Sequence, residues 1–396
     1  MKSKTRIGFD VRILSQKMNG VARYALELLK FLREQEEIEL YLFTDTPLRA
    51  EYSAFISGLP LLELKNKKLK RYWKNWILPW QLLKNNISLY HAIWDKGTPL
   101  VAHCPRLMTI HDLFVLSEFQ KNLRKWIRYF SVRFLEAHAA KVVLTVSEAT
   151  KNDVEKKLGI SSKKILVTHL GCDEERILRS LAGTSFIKEN RWALEEGKYF
   201  FCLAGKVCDV RKNVPLTIEA YRRFFEMRPE LRGYKLVIVG DYDRQSEFFM
   251  KMECRIQERF LQEKIIFTGV VSDGALFTLL KHSTAMVFPS LFEGFGLPIV
   301  EAYALGIPVI TGNISSMKEI GEGGAAILVD VNSPLELAAA LESVCTNPEA
   351  MKKMVGIATQ KKSLYSWERM CRSIWAVYRK QLEGKDIPPA LALSGR

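Results

Sequence analysis

Residues 284–313 read without a break as an apolar strand (TAMVFPS), a tight turn (LFEGFG), an amphipathic helix (LPIVEAYALG) and a second apolar strand (IPVITGN). Two buried strands joined through a helix fold as a parallel α/β unit, because only a crossover connection returns a chain to a parallel neighbour. The turn holds Glu293, Gly294, Phe295 and Gly296, and Leu297 opens the helix. Pro298 follows in the first helical turn, where it has no N–H to lose. Glu301 comes eight residues after Glu293, about one turn into the helix and roughly 6 Å along its axis. One carboxylate is thus on the loop and one on the helix, with unpaired backbone N–H groups and the positive end of the helix dipole between them. Such a turn suits a ligand with hydroxyls at both ends and negative charge in the middle.

The frame EGFGLPIVEA, with Glu293 and Glu301 at its ends, resembles the signature of the retaining GT-B glycosyltransferases of sequence family four. The likeness extends to bacterial polysaccharide and lipopolysaccharide mannosyltransferases. It implies an α/β fold of two doubly wound, Rossmann-like domains facing across a cleft. It also implies that Glu293 contacts the sugar of a nucleotide-sugar donor, that Glu301 binds the ribose hydroxyls, and that the Gly294–Leu297 backbone lies against sugar and diphosphate.

Length and charge agree with two domains. A chain of 396 residues is too long for one ordinary core, and its 48% hydrophobic and 26% charged residues are those of a globular protein. No run of 18 apolar residues exists to span a membrane, and the lysine-bearing N-terminus passes directly into a strand pattern rather than a signal peptide. Seven scattered cysteines without a C-x-x-C pair point to reduced thiols in a cytosol, not to zinc or disulfides. Of the net charge of +15, most lies in residues 1–185, which hold 31 Lys and Arg against 19 Asp and Glu. A basic half seeks an anionic partner. We expect an acceptor-binding domain over 1–185, a donor domain over 186–365, and a C-terminal helix over 366–396 that crosses back to the first domain.

In the first domain, RIGFDV reads as a strand and Gly20 opens a helix with apolar residues at helical spacing. In the resembled family a glycine here lets donor phosphates and acceptor approach the backbone. Between Lys65 and Trp80, five lysines, one arginine, three tryptophans and one tyrosine are interleaved. A second such segment spans 121–134. Both read as a peripheral face for an anionic membrane, since Trp and Tyr favour the interface and Lys and Arg attract anionic lipid. The other open reading is a solvated helix face with its aromatics in the core. No nucleic-acid module frames these residues. The strand RLMTI ends in His111-Asp112, at the carboxyl end where parallel sheets bind ligands; by the resemblance, His111 faces the donor sugar. Ser147 reads as a helix N-cap, Gly171-Cys172-Asp173 as a loop, and 176–195 as a linker.

In the second domain a strand ends at Ala204-Gly205, and Lys206, Arg211 and Lys212 crowd the following loop. By the resemblance these cations bind the donor diphosphate, with Lys206 in place of the usual arginine and therefore without its two-pronged grip. Val271 falls where the family's backbone meets the nucleobase. No G-x-x-x-x-G-K-[ST] loop is present, which argues against an ATPase or GTPase. The 387–396 tail has the composition of a disordered end.

These residues lead to one expectation. A nucleotide-diphosphate sugar, GDP- or UDP-linked, is substrate, with no cofactor. Cations rather than a divalent metal balance the leaving diphosphate, so transfer is metal-independent. The acceptor is a glycan or lipid-linked glycan, and the protein sits in the cytoplasm against the inner face of the membrane. A transferase with a soluble sugar acceptor of the sucrose or trehalose type, and a non-catalytic nucleotide-sugar binder, are the competing readings.

Overall fold

The computed structural model describes residues 4–118, 122–186, 192–256 and 259–384. The expected disordered tail lies outside them. The chain divides into one unit of residues 1–170 with 367–396 and a second of residues 171–366.

The first unit is built on a seven-stranded sheet of order β3-β2-β1-β4-β5-β6-β7. Its strands are β1 Thr5–Asp10, β2 Ile38–Thr44, β3 Leu61–Glu63, β4 Leu89–Ala92, β5 Arg106–Ile110, β6 Val142–Thr145 and β7 Ile165–Val167. Every pairing is parallel. Strands β4 and β6 are buried at every position, as helices covering both faces of a parallel sheet require. Local chemistry starts the helices where the sequence places them. Asn19 Oδ1 accepts the Ala22 N–H at 2.9 Å and starts the Gly20–Arg33 helix, and Ser147 Oγ accepts the Thr150 N–H at 3.0 Å. Such caps contribute about 1 kcal/mol each.

The helix Trp367–Leu382 belongs to this first unit and packs on Gly20–Arg33. Its Tyr378 is buried, and the hydroxyl bonds His91 Nδ1 at 2.6 Å. His91 Nε2 in turn meets Thr109 Oγ1 at 2.8 Å, and the Tyr24 hydroxyl reaches the same Thr109 at 2.8 Å. Each of these buried polar groups is partnered, which keeps their burial from being destabilising.

In the basic–aromatic stretch the structure separates the tryptophans. Trp73 is 3% exposed and joins a core with Phe43, Leu78 and Tyr90, whereas Trp76 is 73% and Trp80 55% exposed. The helix Leu123–Ala139 likewise leaves Leu123, Ile127 and Leu135 exposed.

The second unit carries a six-stranded parallel sheet of order β10-β9-β8-β11-β12-β13. Its strands are β8 Tyr199–Lys206, β9 Lys235–Asp241, β10 Ile265–Gly269, β11 Ala285–Phe288, β12 Val309–Gly312 and β13 Ile327–Val329. Phe200, Ile238, Val287 and Ile310 form its core with Tyr221 and Phe224 from the Val214–Met227 helix. Each such side chain contributes about 1.5–3 kcal/mol on burial. The expected linker is not a linker along its first part. Residues Glu174–Ala182 form a helix, capped by Asp173 through the Arg176 N–H at 2.9 Å, that packs on the Asp273–Lys281 helix. Of its apolar residues Ile177 is buried, while Leu178 stays exposed.

Candidate active site

In an open parallel sheet ligands bind beyond the carboxyl ends of the strands, where the strand order reverses. In the second sheet that reversal lies between β8 and β11. The loops leaving these two strands carry Lys206, Arg211 and Lys212 on one side and Glu293, Gly294 and Phe295 on the other. They are stitched together across the gap. The Leu291 N–H donates to Arg211 O at 2.7 Å, and Asn213 Nδ2 donates to Pro289 O at 3.2 Å and Val331 O at 2.7 Å.

Lys212 Nζ donates to Glu293 Oε1 at 2.6 Å, and the ammonium also sits 4.8 Å from the centre of the Phe288 ring. Both side chains are about one-sixth exposed, 17% and 16%. Their charges are therefore worth more than those of a surface pair, yet remain within reach of a ligand. Ser315 and Ser316 hydroxyls hold the Glu293 carbonyl at 2.7 and 2.9 Å. Phe295 is buried and meets the Tyr365 ring edge-on at 5.5 Å, which anchors the turn from beneath. Gly296 precedes the Leu297–Ala304 helix with φ +107°, a conformation that disfavours any residue with a Cβ.

The other expected residues take distinct places. Arg211 is committed to Asp209, with Nε at 3.0 Å and Nη2 at 2.6 Å from its carboxylate. Burial works to raise the Asp209 pKa, but the bonds from Arg211 and the nearby Lys212 charge hold it below the usual range. Arg211 is thus paired within its own loop, while Lys212 has turned to Glu293. Lys206 ends β8, exposed and in register with Asp241 of β9. The strand bulges just before it: the register shifts between Leu203 and Gly205, Gly205 has φ +65°, and a Cβ on Gly240 would meet Gly205 N at 2.9 Å. Bulges of this kind re-aim the side chain that follows. Val271 follows the turn at Gly269, beside Val270, which is 75% exposed. Glu301 accepts from Arg176 Nη1 at 3.5 Å, and Arg176 Nε reaches Asp273 at 2.8 Å. Arg176 lies in the stretch read as linker, and nothing in its local spacing marks it.

Asp241 and Asp243 stand at D-x-D spacing at the end of β9. The expectation of metal independence leans on the absence of a D-x-D motif, and that premise is wrong: Asp241-Tyr242-Asp243 is one. Asp243 closes a turn, its Oδ1 accepting the Gln245 N–H at 2.9 Å.

In the first unit, Gly20 is the exposed first residue of its helix. His111 is 8% exposed, stands edge-on to the Tyr24 ring at 4.9 Å, and places Nε2 3.2 Å from Ile93 O. A carbonyl only accepts, so Nε2 carries the proton and the neutral ring keeps its lone pair on Nδ1. Burial lowers the His111 pKa to about 4, against smaller opposing effects from the Ile93 hydrogen bond and Asp95.

The reversal of the first sheet, between β1 and β4, holds ionic pairs that the sequence reading missed. Arg12 Nε bonds Asp10 Oδ1 at 2.9 Å, and Arg12 Nη1 lies 3.6 Å from Asp45. Arg133 Nε and the Tyr129 hydroxyl both bond Asp95 Oδ2, at 2.8 and 2.9 Å, and Lys74 pairs with buried Glu136. Asp10, Asp45 and Asp95 each lie at or just past a strand's carboxyl end, a signal the sequence did carry.

Two doubly wound parallel α/β units, one with acid–base pairing across its topological switch point, define the GT-B class of fold. A model of group 1 glycosyl transferases matches residues 186–361, and one of glycosyltransferase family 4 matches residues 18–176. The chain belongs to this glycosyltransferase family. It is 26% identical over 350 residues to O-antigen chain mannosyltransferase B of Escherichia coli, covering 83% of this chain and 87% of that one. It is 23% identical over 355 residues to the O-antigen chain mannosyltransferase RfbU of Salmonella typhimurium, covering 86% and 91%. Among solved structures, a glycosyltransferase from Rickettsia africae superposes with TM-score 0.73 at 20% identity over 96% of this chain and 100% of its own. Anabaena HepE, in complex with UDP and glucose, gives 0.74 at 17% identity over 95% and 100%.

Proposed function

We propose that the chain transfers a hexose, with mannose the first candidate, from a GDP- or UDP-linked donor to a lipid-linked or cell-surface glycan, with retention at the anomeric carbon. The observation that carries this reading is the Lys212–Glu293 pair at the switch point of the second sheet. Glu293 is given the donor sugar, Glu301 the ribose hydroxyls, and the Gly294–Leu297 backbone the sugar and diphosphate. Cleavage of the sugar–phosphate bond leaves charge on the diphosphate. Lys212, Lys206 and the helix start at Gly296 would stabilise it; a single opposite charge at 4 Å is worth on the order of 4 kcal/mol at an effective dielectric of 20. Arg211, shared with Asp209, contributes less. The departing phosphate oxygen takes the acceptor's proton on the same face. His111 is the first unit's contribution to the step, neutral at physiological pH.

The relatives' names, both O-antigen chain mannosyltransferases, support the choice of sugar and acceptor class. Exposed Trp76 and Trp80 among lysines support a peripheral membrane site, and no helix among the described residues is long and apolar enough to cross a membrane. The test is a thermal-shift screen of nucleotide sugars followed by transfer and NMR of the product anomer. A true donor at 100 times its Kd stabilises by about 2.7 kcal/mol. No shift with any nucleotide sugar, or full turnover by Glu293→Ala, would overturn the site.

A further inference from the structure

The loop between β4 and β5 carries an apolar tip. Val101 is 74% exposed and Leu100 36%. Apolar side chains gain by leaving water, yet the backbone beneath this pair is held where it presents them. The Leu100 N–H donates to Asn75 Oδ1 at 3.2 Å, and Arg106 Nη1 donates to Pro99 O at 3.1 Å and to Leu100 O at 2.6 Å.

The tip shares its footing with the basic–aromatic segment. Trp73 and Cys104 are buried in one core with Leu78 and Tyr90. Trp76 stands three residues after Trp73, and Val101 three before Cys104. Asn75, the partner of Leu100, is the immediate neighbour of Trp76. Trp76, Trp80 and Val101 are therefore exposed apolar groups fixed to a common base.

The surrounding charge is of one sign. Residues 65–94 contain no Asp or Glu. Lys70 and Lys74 reach out of the segment to Asp45 and Glu136. Lys67, Lys68 and Lys84 are exposed, and the Lys84 ammonium lies 5.0 Å from the centre of the Trp80 ring. An apolar patch rimmed by polar residues marks an interaction surface, and tryptophan beside lysine suits the boundary between anionic headgroups and acyl chains. A second copy fits less well, because a two-fold contact sets one patch against itself and would bring these like charges together.

We infer that the Leu100–Val101 tip enters an anionic bilayer beside Trp76 and Trp80, so that the surface seated on lipid is built from two segments of the chain on one rigid base. This rests on the peripheral-membrane reading above and adds to it an element outside the basic–aromatic stretch.

The probe is sedimentation of the full chain with vesicles of phosphatidylcholine, with and without phosphatidylglycerol. The unaltered chain should pellet with the anionic vesicles. Val101→Asp should weaken that binding about tenfold or more, since it removes apolar contact and sets a carboxylate against an anionic surface. Val101→Leu, which keeps the tip apolar, should retain it. Leu335→Asp makes the same kind of change at an exposed position of the second unit and should pellet as the unaltered chain does. Val101 and Leu335 are both exposed, and an unchanged Tm confirms that each variant folds. Binding undiminished by Val101→Asp, with Trp76→Ala/Trp80→Ala abolishing it, would overturn the tip and leave the membrane reading standing. No binding of the unaltered chain to anionic vesicles would overturn both. The oligomeric mass in solution without vesicles forms the second arm. A dimer that Val101→Asp converts to monomer would make this face a contact between copies and would also overturn the inference. The transferase reading is scored separately, by nucleotide-sugar binding to the unaltered chain.

Discussion

Arg176 holds Glu301 and Asp273 together, with Nη1 3.5 Å from the first carboxylate and Nε 2.8 Å from the second. Its guanidinium also lies 5.0 Å from the centre of the Phe277 ring. Arg176 thus orients the side chain assigned to the donor's ribose. Arg176→Ala is expected to raise the donor KM about tenfold with little change in kcat, the pattern of a lost ground-state contact. Arg176→Lys should fall between, because a lysine cannot span both acids with a planar fork. An equal loss in kcat would place Arg176 in the transition state instead.

The Lys212–Glu293 pair predicts non-additive damage. Each single alanine variant leaves a partly buried charge without its partner, so the double variant should be less harmful than the sum, by about 0.5–3 kcal/mol in a double-mutant cycle. Transfer should fall about 10²–10³-fold for Lys212→Ala if the ammonium meets the developing diphosphate charge. Additive Tm and rate effects would show that the pair is incidental.

Acid should destabilise the first unit before the carboxylates titrate. Burial lowers His91 to about 3 and His111 to about 4, against about 6.5 in an unfolded chain. The unfolded state then binds protons that the folded state refuses. This stability is fully present above pH 6.5 and is lost as pH falls toward the folded values, by at most about 1.4 kcal/mol per unit for each histidine. Urea midpoints between pH 6.5 and 5 measure it. A flat midpoint there would mean that the rings are not buried neutral.

Metal independence is open to direct test because Asp241 and Asp243 share D-x-D spacing. Transfer should persist in EDTA, and Asp241→Ala should retain most activity. Loss of activity in chelator, restored by Mg²⁺ or Mn²⁺, would reject the cation-only account of the leaving diphosphate.

For the membrane face, Trp76→Ala with Trp80→Ala should abolish sedimentation with anionic vesicles. Binding by the unaltered chain should weaken steeply with salt, as surface charge is screened beyond about 8 Å at physiological ionic strength. Equal binding to neutral vesicles would remove the lysines from the account.

The second unit was the more legible. There the turn chemistry is local: Gly205, Gly296 and Pro298 each mark a strand end or helix start within a few residues, and Glu293 and Lys212 follow from position in that frame. What escaped reading depends on partners far along the chain. Arg176 meets Asp273 across 97 residues, a partner that no local spacing names. Asp209 took Arg211 locally, a pairing legible in the spacing but indistinguishable there from a free phosphate ligand. The tryptophans show the limit most plainly. Trp73 and Trp76 are three residues apart in one basic segment, and only the neighbouring Phe43 and Tyr90 decide that the first is core and the second is not.

The hydroxyl of Tyr378 reaches His91 across 287 positions of chain. During synthesis, therefore, the first sheet emerges early with one nitrogen of its central imidazole, Nδ1, lacking this partner, and must wait while the whole of the other unit is made. The Trp367–Leu382 helix completes it only after that unit has been made. A chain cut just before Trp367 would leave two intact sheets and one unsealed interior.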